Sequence, residues 1–284
     1  MDSAEPPRSA GAGFAGAGAG NWLELCRAAR DDVAGVLEEL PGRAEREPVV
    51  GAGEGGDETT AIDAAAERVI LERFRGEDVR LVSEEAGVSG AGRWTVVVDP
   101  IDGSLNAKRG IPYFSVSIAV ADGETMDDVV FGYVHDFGTG EEWTATRGGG
   151  AQLNGRPIVE RPKSELEILS FEATTTAYVS ENAARFDGIA HRLRVMGSLA
   201  ISLCHLAAGR VDGVVSLKPA RSVDVAAAQL LVREQGLAIE LADAPPFGAA
   251  PLDLVGRSRV AAAGSPELCA RLCQALTAPS LRSA

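Results

Sequence analysis

The sequence predicts an α/β protein, with a layered α+β front half and a back half in which strands and helices take turns. Three patterns predict this class. Apolar residues recur at helical spacing between about residues 21 and 74, alternate as in β-strands from residue 79, and form strand and helix runs in turn beyond about residue 165. We expect one compact unit with a tail at residues 1–20, an N-terminal half at residues 21–165 and a C-terminal half at residues 166–284.

The first elements follow from caps and breakers. Residues 1–20 are rich in Gly, Ala and Pro and are expected to be a disordered tail. A helix should begin at Asn21, which with Glu24 resembles a capping box, and should end at Pro41. After a Gly-rich acidic loop, a second helix is predicted from about Thr60.

The remaining elements are assigned from apolar periodicity. In the front half, strands are predicted at residues 79–82, 94–98, 114–121, 129–135 and 142–146. In the back half, strands are predicted at residues 167–171, 214–217, 237–241 and 259–262, and helices at residues 181–191, 198–208, 223–235 and 266–276.

Composition excludes several classes of partner. The chain has 27 Lys and Arg against 41 Asp and Glu, a formal net charge of −14. This surplus of acid argues against nucleic acid or an anionic membrane as a partner, since both require a basic face. No apolar run reaches the ~20 residues of a membrane span, and no signal peptide is predicted. Four cysteines without a Cys-x-x-Cys pair favour a reducing, cytoplasmic setting.

The strongest motif is Asp-Pro-Ile-Asp-Gly-Ser at residues 99–104, directly after an apolar strand. The spacing brings Asp99 and Asp102 together across a tight turn, where two carboxylates repel each other unless a cation lies between them. Hard divalent cations such as Mg²⁺ prefer oxygen ligands of this kind. The amides of Gly103 and Ser104 offer an anion site beside that cation. The alternative is an ordinary turn that ends a strand.

Three more acidic positions have alternatives of their own. Glu84 and Glu85 follow another apolar strand, and adjacent glutamates on a loop are usually solvated. Asp63 and Asp224 lie in the first turn of predicted helices, where an acid is favoured by the helix dipole alone.

Taken together, these motifs resemble the inositol monophosphatase/fructose-1,6-bisphosphatase superfamily of metal-dependent, lithium-sensitive phosphatases. The resemblance covers most of residues 21–245, from GDETTAID through LVSEEAG, VVVDPIDGSLN and SVDVAAAQLLVREQG. It implies a layered α-β-α-β-α sandwich with the active site between the two halves. Members are commonly homodimers, so a homodimer is expected.

The resemblance also implies a set of metal ligands. Glu84, Asp99 and the carbonyl of Ile101 should bind one Mg²⁺, and Asp99, Asp102 and Asp224 a second. A third, weaker Mg²⁺ is expected near Glu84, and Mn²⁺ is an alternative ion. The two-metal arrangement generates hydroxide and stabilises an in-line displacement.

Catalytic and substrate-binding residues are implied in the same way. Asp63 and the Ser104 hydroxyl should orient and deprotonate the attacking water, with Glu84 as the third catalytic residue. The amides of Gly103 and Ser104 should hold the phosphate. The run Asn-Ala-Lys-Arg-Gly-Ile-Pro at residues 106–112 is similar to that of archaeal-type dual-specificity enzymes. That similarity makes Arg109 the candidate for a second phosphate, with Lys218 and Arg221 as alternatives.

Departures from the family pattern leave the substrate open. Ser104 stands where Thr is usual, Val223 replaces the usual Trp, and Leu217 falls near the Glu that grips inositol in animal enzymes. Fructose 1,6-bisphosphate and inositol 1-phosphate are the expected substrates. Histidinol phosphate, 3′-phosphoadenosine 5′-phosphate and NADP are alternatives, and a non-catalytic, cation-binding regulatory protein is the remote alternative.

Overall fold

The computed structural model describes residues 19–53, 58–172 and 175–279. The helices are Ala19–Glu39 (α1), Arg43–Arg46 (α2), Ala61–Arg73 (α3), Ser104–Arg109 (α4), Thr176–Asn182 (α5), Leu199–Ala207 (α6), Ser222–Glu234 (α7) and Pro266–Thr277 (α8). The strands are Val49–Ala52 (β1), Glu58–Thr60 (β2), Val79–Ser83 (β3), Gly87–Gly90 (β4), Trp94–Asp102 (β5), Ser115–Ala121 (β6), Val129–Asp136 (β7), Glu142–Thr146 (β8), Gly150–Leu153 (β9), Arg156–Pro157 (β10), Ile168–Glu172 (β11), Arg192–Arg194 (β12), Gly213–Ser216 (β13), Ala238–Leu241 (β14) and Val260–Ala263 (β15). Short 3₁₀ turns lie at Met126–Asp128, Ala183–Phe186 and Phe247–Ala249.

Two sheets form the framework. The larger has eight strands in the order β10-β9-β8-β7-β6-β5-β3-β4, in which β3 and β5 are parallel and the other pairs antiparallel. The smaller has five strands in the order β12-β11-β13-β15-β14. Its first three strands are parallel, and β15 is antiparallel to both neighbours. β1 and β2 form a separate hairpin.

Helices separate and cover the sheets. α1 and α3 pack together on one face of the eight-stranded sheet. α6 and α7 fill the space between the two sheets, and α8 covers the far face of the smaller sheet. α7 approaches β7 closely at Gly132, where a Cβ atom would lie 2.5 Å from the carbonyl oxygen of Ala227. The predicted α/β class and the layered α-β-α-β-α arrangement are therefore confirmed.

Most predicted elements are present, with ends shifted by a few residues at most. Two expectations were wrong. α1 spans Ala19–Glu39, so Asn21 lies within the helix and not at its start. The helix predicted at residues 181–191 is replaced by α5, the 3₁₀ turn Ala183–Phe186 and a loop, because Thr175 caps α5 and starts the helix earlier. Most of the predicted tail, residues 1–18, lies outside the described residues.

None of the helices in the part of the chain that the structure describes is both long and apolar enough to cross a lipid bilayer.

The middle helical layer should dominate stability. Leu203 of α6 is fully buried between the two sheets. We expect Leu203→Ala to lower the free energy of unfolding by about 2–5 kcal/mol, because it leaves a cavity that the rigid neighbours cannot fill. Urea denaturation measures this change. Leu105→Ala is the matched control, since that side chain is 67% exposed. A loss below about 1 kcal/mol for Leu203→Ala would contradict the packing described.

Candidate active site

The eight-stranded sheet brings two acidic residues to one edge. β3 and β5 are parallel neighbours, and Ser83 is in register with Val98. Glu84 follows Ser83, and Asp99 follows Val98. The two carboxylates therefore lie side by side at the same edge of the sheet. The pairing of two parallel strands thus brings together two acidic residues that are 15 positions apart in the sequence.

A bulge in β5 adds the next carboxylate. Opposite β6, Asp99 pairs with Ser117 and Asp102 with Ser115, so three steps along β5 span two along its partner. Such a bulge redirects side chains and is tolerant of Pro100, which cannot donate to the ladder. Asp99 is 3% exposed and Asp102 is also buried. Both carboxylates are held inside the protein, and the hydrogen bond from the backbone N of Ile101 to Asp99 is that of the turn which the alternative predicted.

Two helix starts supply the other acids. Asp63 is the third residue of α3 and accepts hydrogen bonds from the backbone N and hydroxyl of Thr60, at 3.2 and 2.5 Å. Asp224 is the third residue of α7 and accepts from the backbone N of Arg221 at 2.6 Å. Both residues thus cap their helices, as the alternative for them predicted. Capping uses Oδ2 in each case, and Oδ1 of Asp63 is buried without a hydrogen-bond partner among the described residues.

The strand-borne carboxylates are anchored in the same way. Asp99 Oδ1 accepts from the backbone N of Ile101 at 2.9 Å. Asp102 Oδ2 accepts from the Ser198 hydroxyl at 2.6 Å and from the backbone N of Ala200, in the first turn of α6, at 2.7 Å. These contacts fix the orientation of each carboxylate through one oxygen and do not use the other.

Burial and mutual repulsion raise the pKa values of three of these carboxyl groups. Burial, together with repulsion from Glu84, Asp102 and Asp224, raises the pKa of Asp99 well above its usual value. Burial and repulsion from Asp224 raise the pKa of Asp102 to about 7. Burial also raises the pKa of Glu84 to about 7, although Arg221 opposes the shift. Four carboxylates therefore lie close enough to repel one another.

Two basic side chains lie against these acids. Arg221 forms an ion pair with Glu84 and lies 3.4 Å from Asp224. Burial would lower the pKa of Arg221, but attraction to Asp224 and Glu84 outweighs it and raises the pKa above its usual value. Lys108 of α4 lies 3.2 Å from Asp63 Oδ2 and is largely buried.

The residues fit a hard divalent cation by their chemistry. Carboxylate oxygens are the preferred ligands of such ions, and buried carboxylates that repel one another are stabilised by one. As they stand, no three acidic, histidine or cysteine side chains within the described ranges are arranged to hold a metal ion together. The ion pair of Arg221 with Glu84 engages one of the four carboxylates in another contact. The carbonyl of Ile101 accepts from the Ser104 hydroxyl at 2.9 Å.

A cavity of about 350 Å³ adjoins the cluster. Asp102 and Asp224 line one part of it, and Lys218, Arg221 and Arg257 also contribute to its wall. Arg109, predicted to meet a second phosphate, is instead ion-paired with Glu47 at 2.7 Å and its side chain is 47% exposed. The structure thus brings Lys218 and Arg221 to the cavity and pairs Arg109 elsewhere.

The start of α4 is tied to the other half of the chain. Gly103 has a φ of +97°, and a Cβ atom there would lie 3.0 Å from the carbonyl oxygen of Gly197. Asn106 Nδ2 donates at 2.8 Å to the carbonyl oxygens of both Tyr113 and Met196. Gly103 therefore satisfies both a backbone conformation and a close approach.

Sequence reasoning missed three residues that support the site. Glu172 is buried and accepts from Ser202 and from the backbone N of Gly197 at 2.6 and 2.9 Å. Glu67 accepts from Ser83 and from the backbone N of Ala86, and so braces the loop that carries Glu84. Burial raises the pKa of both glutamates. For these two glutamates the signal was an acid within an apolar strand or helix. The third residue is Lys108, which lies against Asp63 and gave no such signal.

Comparison with known proteins agrees with the fold and with the family that the sequence resembles. The model of the inositol monophosphatase family matches residues 22–280. A fructose-1,6-bisphosphatase/inositol-1-monophosphatase of Archaeoglobus fulgidus is 33% identical over 85% of this chain and 92% of its own. The Nus factor SuhB of Escherichia coli K12 is 38% identical over 63% of this chain and 70% of its own. The crystal structure of an inositol monophosphatase–fructose 1,6 bisphosphatase has 27% identity and a TM-score of 0.79, and covers 89% of this chain and 99% of its own.

Fold, carboxylate cluster and these matches together define a phosphatase of the metal-dependent type. The chain belongs to the inositol monophosphatase family.

The raised pKa values predict how stability depends on pH in the metal-free protein. The folded state of Asp99, Asp102 and Glu84 binds protons more tightly than the unfolded chain, whose carboxyl pKa values are about 4. Their contribution to stability is therefore present at low pH and lost as pH rises, for Asp102 and Glu84 through about 7. In the presence of a chelator, the free energy of unfolding from urea denaturation should fall between about pH 5 and 8.

The control for this prediction is Asp99→Asn, which keeps the side-chain shape and removes one ionisable group. It should make the decline with pH shallower, because fewer like charges must be ionised inside the protein. An identical slope in the variant would show that other acidic residues cause the pH dependence.

Proposed function

We propose that this protein hydrolyses phosphate monoesters of small metabolites with Mg²⁺ as cofactor, and that fructose 1,6-bisphosphate and inositol 1-phosphate are its substrates. The observation that carries the proposal is the cluster of mutually repelling, buried carboxylates beside a cavity whose lining includes Lys218, Arg221 and Arg257. The names of relatives such as the Archaeoglobus fulgidus enzyme support the choice of substrates. The volume of about 350 Å³ is sufficient for a sugar phosphate.

In this proposal the carboxylates hold two or three Mg²⁺ ions, with Mn²⁺ as an alternative. Glu84, Asp99 and the Ile101 carbonyl would hold one ion, and Asp99, Asp102 and Asp224 a second. When bound, these ions would supply Lewis acidity toward water and toward the phosphate oxygens. The anchoring of Asp99 and Asp102 through one oxygen fits this role, because it holds the ligands in place before an ion arrives.

The remaining steps belong to side chains of this protein. The unpartnered Oδ1 of Asp63 would accept the proton of the attacking water, while Lys108 and Thr60 hold its other oxygen. The Ser104 hydroxyl would orient that water, and the amides of Gly103 and Ser104 would bind the phosphate. The water oxygen would bond to phosphorus as the ester P–O bond breaks, the leaving alcohol oxygen would take up a proton from solvent, and Asp63 would release its proton to solvent.

We also propose that the halves at residues 21–165 and 166–284 act as one catalytic unit, in the cytoplasm and as a homodimer. Contacts across the halves support the first point, since Asp102 is held by Ser198 and Ala200.

A second candidate is a regulatory protein that binds cations without catalysis. The 38% identity to the Nus factor SuhB of Escherichia coli supports this second candidate. Histidinol phosphate and nucleotide phosphates remain alternative substrates within the first proposal.

The decisive assay is phosphate release with Mg²⁺ from fructose 1,6-bisphosphate and inositol 1-phosphate in parallel. Asp99→Asn should lower kcat at least about 100-fold, because it removes the proposed bridging ligand, while its circular dichroism spectrum stays that of the parent. Full activity in this variant would refute the proposed site. Release only from histidinol or nucleotide phosphates would change the substrate, and no release from any of them would favour the regulatory candidate.

A second phosphate should be recognised by a basic residue of the cavity. Lys218 lines the cavity, and we expect Lys218→Ala to raise KM for fructose 1,6-bisphosphate about tenfold but to change KM for fructose 1-phosphate little, because only the bisphosphate carries the second anion. Arg109→Ala tests the expectation from the sequence in the same assay. Lys163→Ala, which removes an exposed lysine paired with Glu167, is the control. Equal effects on the two substrates would exclude Lys218 from this role.

A further inference from the structure

Arg221 is an unusual neighbour for a set of metal ligands. Its side chain is 8% exposed, and its Nη2 contacts Glu84 Oε1 and lies 3.4 Å from Asp224 Oδ1. Its Nη1 is buried without a hydrogen-bond partner among the described residues. The guanidinium is therefore held inside the carboxylate cluster by two acids and leaves one of its own donor nitrogens unsatisfied.

This position conflicts with a cation bound to the same acids. A guanidinium has no acceptor atom and stays charged, so it cannot share a ligand shell and repels a neighbouring cation. It engages Glu84 Oε1 and approaches Asp224 Oδ1, whereas Oδ2 of Asp224 is occupied by the backbone N of Arg221. An ion on Glu84, or a second ion on Asp224, would compete with the guanidinium for the oxygens that it now contacts.

The side chain has space to leave. Besides contacting the cluster, Arg221 lines the adjoining cavity of about 350 Å³ together with Lys218 and Arg257. A rotation about its side-chain bonds would move the guanidinium from the acids to this wall without a change in the backbone of α7. There it would add a third positive charge to the surface that faces an anionic substrate.

We propose that Arg221 is the internal counter-ion of the metal-free site, and that a divalent cation binds by displacing its guanidinium from Glu84 into the adjoining cavity. This inference rests on the proposed metal site. Because the ion pair stabilises only the metal-free state, it weakens metal binding by the free energy needed to break it, and the coupling is reciprocal. Metal binding then also equips the cavity to bind a phosphate.

The first test measures Mg²⁺ binding alone by titration calorimetry. Arg221→Gln removes the competing charge and should tighten Mg²⁺ binding about tenfold or more, as expected for loss of a buried ion pair. Arg221→Lys retains a charge on a shorter stem without the planar fork and should give an intermediate affinity. Arg233→Gln, at the other end of α7 and paired with Asp127, is the matched control and should leave the affinity unchanged.

The second test separates displacement from a general effect of charge. If the ion pair exists only without metal, Arg221→Gln should lower the melting temperature of the chelated protein by several degrees and leave that of the Mg²⁺-saturated protein near the parent value. An equal loss in both states would mean that the pair persists beside the metal and would overturn the proposal. Mg²⁺ affinity that is unchanged or weaker in Arg221→Gln would also overturn it.

Failure of the metal site itself gives a different result. If neither the parent protein nor Arg221→Gln bound Mg²⁺ at millimolar concentrations, both the proposed cofactor and this inference would be wrong. Binding by the variant alone would support the inference in its strongest form, because the guanidinium would then block the site completely.

Discussion

Repulsion among buried carboxylates is the constraint to which the rest of the site responds. Asp99, Asp102, Glu84 and Asp224 would not remain together if each were free to turn toward solvent. Neutral donors hold them in place: a backbone N of their own turn for Asp99, and the start of α6 for Asp102. These donors fix the orientation of the carboxylates in spite of their mutual repulsion, which is what capture of a small, hard cation requires.

The fold explains why such an assembly can exist. Acids are brought in by strand ends and helix starts, where backbone N–H groups lack partners within their own element. The first turns of α6 and α7, in the middle layer, lie at the carboxyl end of β5. The first turn of α3 lies there too, from the opposite face of the sheet. A site formed at the junction of three layers receives residues from distant parts of the chain, from Asp63 to Asp224.

Local periodicity predicted the strand and helix layers, and the Asp-Pro-Ile-Asp motif predicted that Asp99 and Asp102 lie together. Glu84, Asp63 and Asp224 joined that set only through the family resemblance, because nothing in their own neighbourhoods distinguishes them from solvated or helix-start acids. The partners of basic residues were not predictable in this way. Arg109 lies in the expected motif but pairs with Glu47, and Arg221 is next to Asp224 yet meets Glu84, 137 positions away. The helix predicted at residues 181–191 was wrong for a related reason. Thr175 caps α5 and starts the helix earlier, and an amphipathic pattern does not show which of several polar residues is the N-cap.

The contact of Gly103 with Gly197, and the hydrogen bond from Asn106 to the carbonyl oxygen of Met196, join the halves of the chain within the site itself. This joint limits how the protein can be recombined. A chimera that takes one half from this chain and the other from a relative separates the start of α4 from the segment against which it packs. Residues 103–106 and 196–198 should therefore be taken from the same parent protein in any chimera, even though about 90 residues separate them.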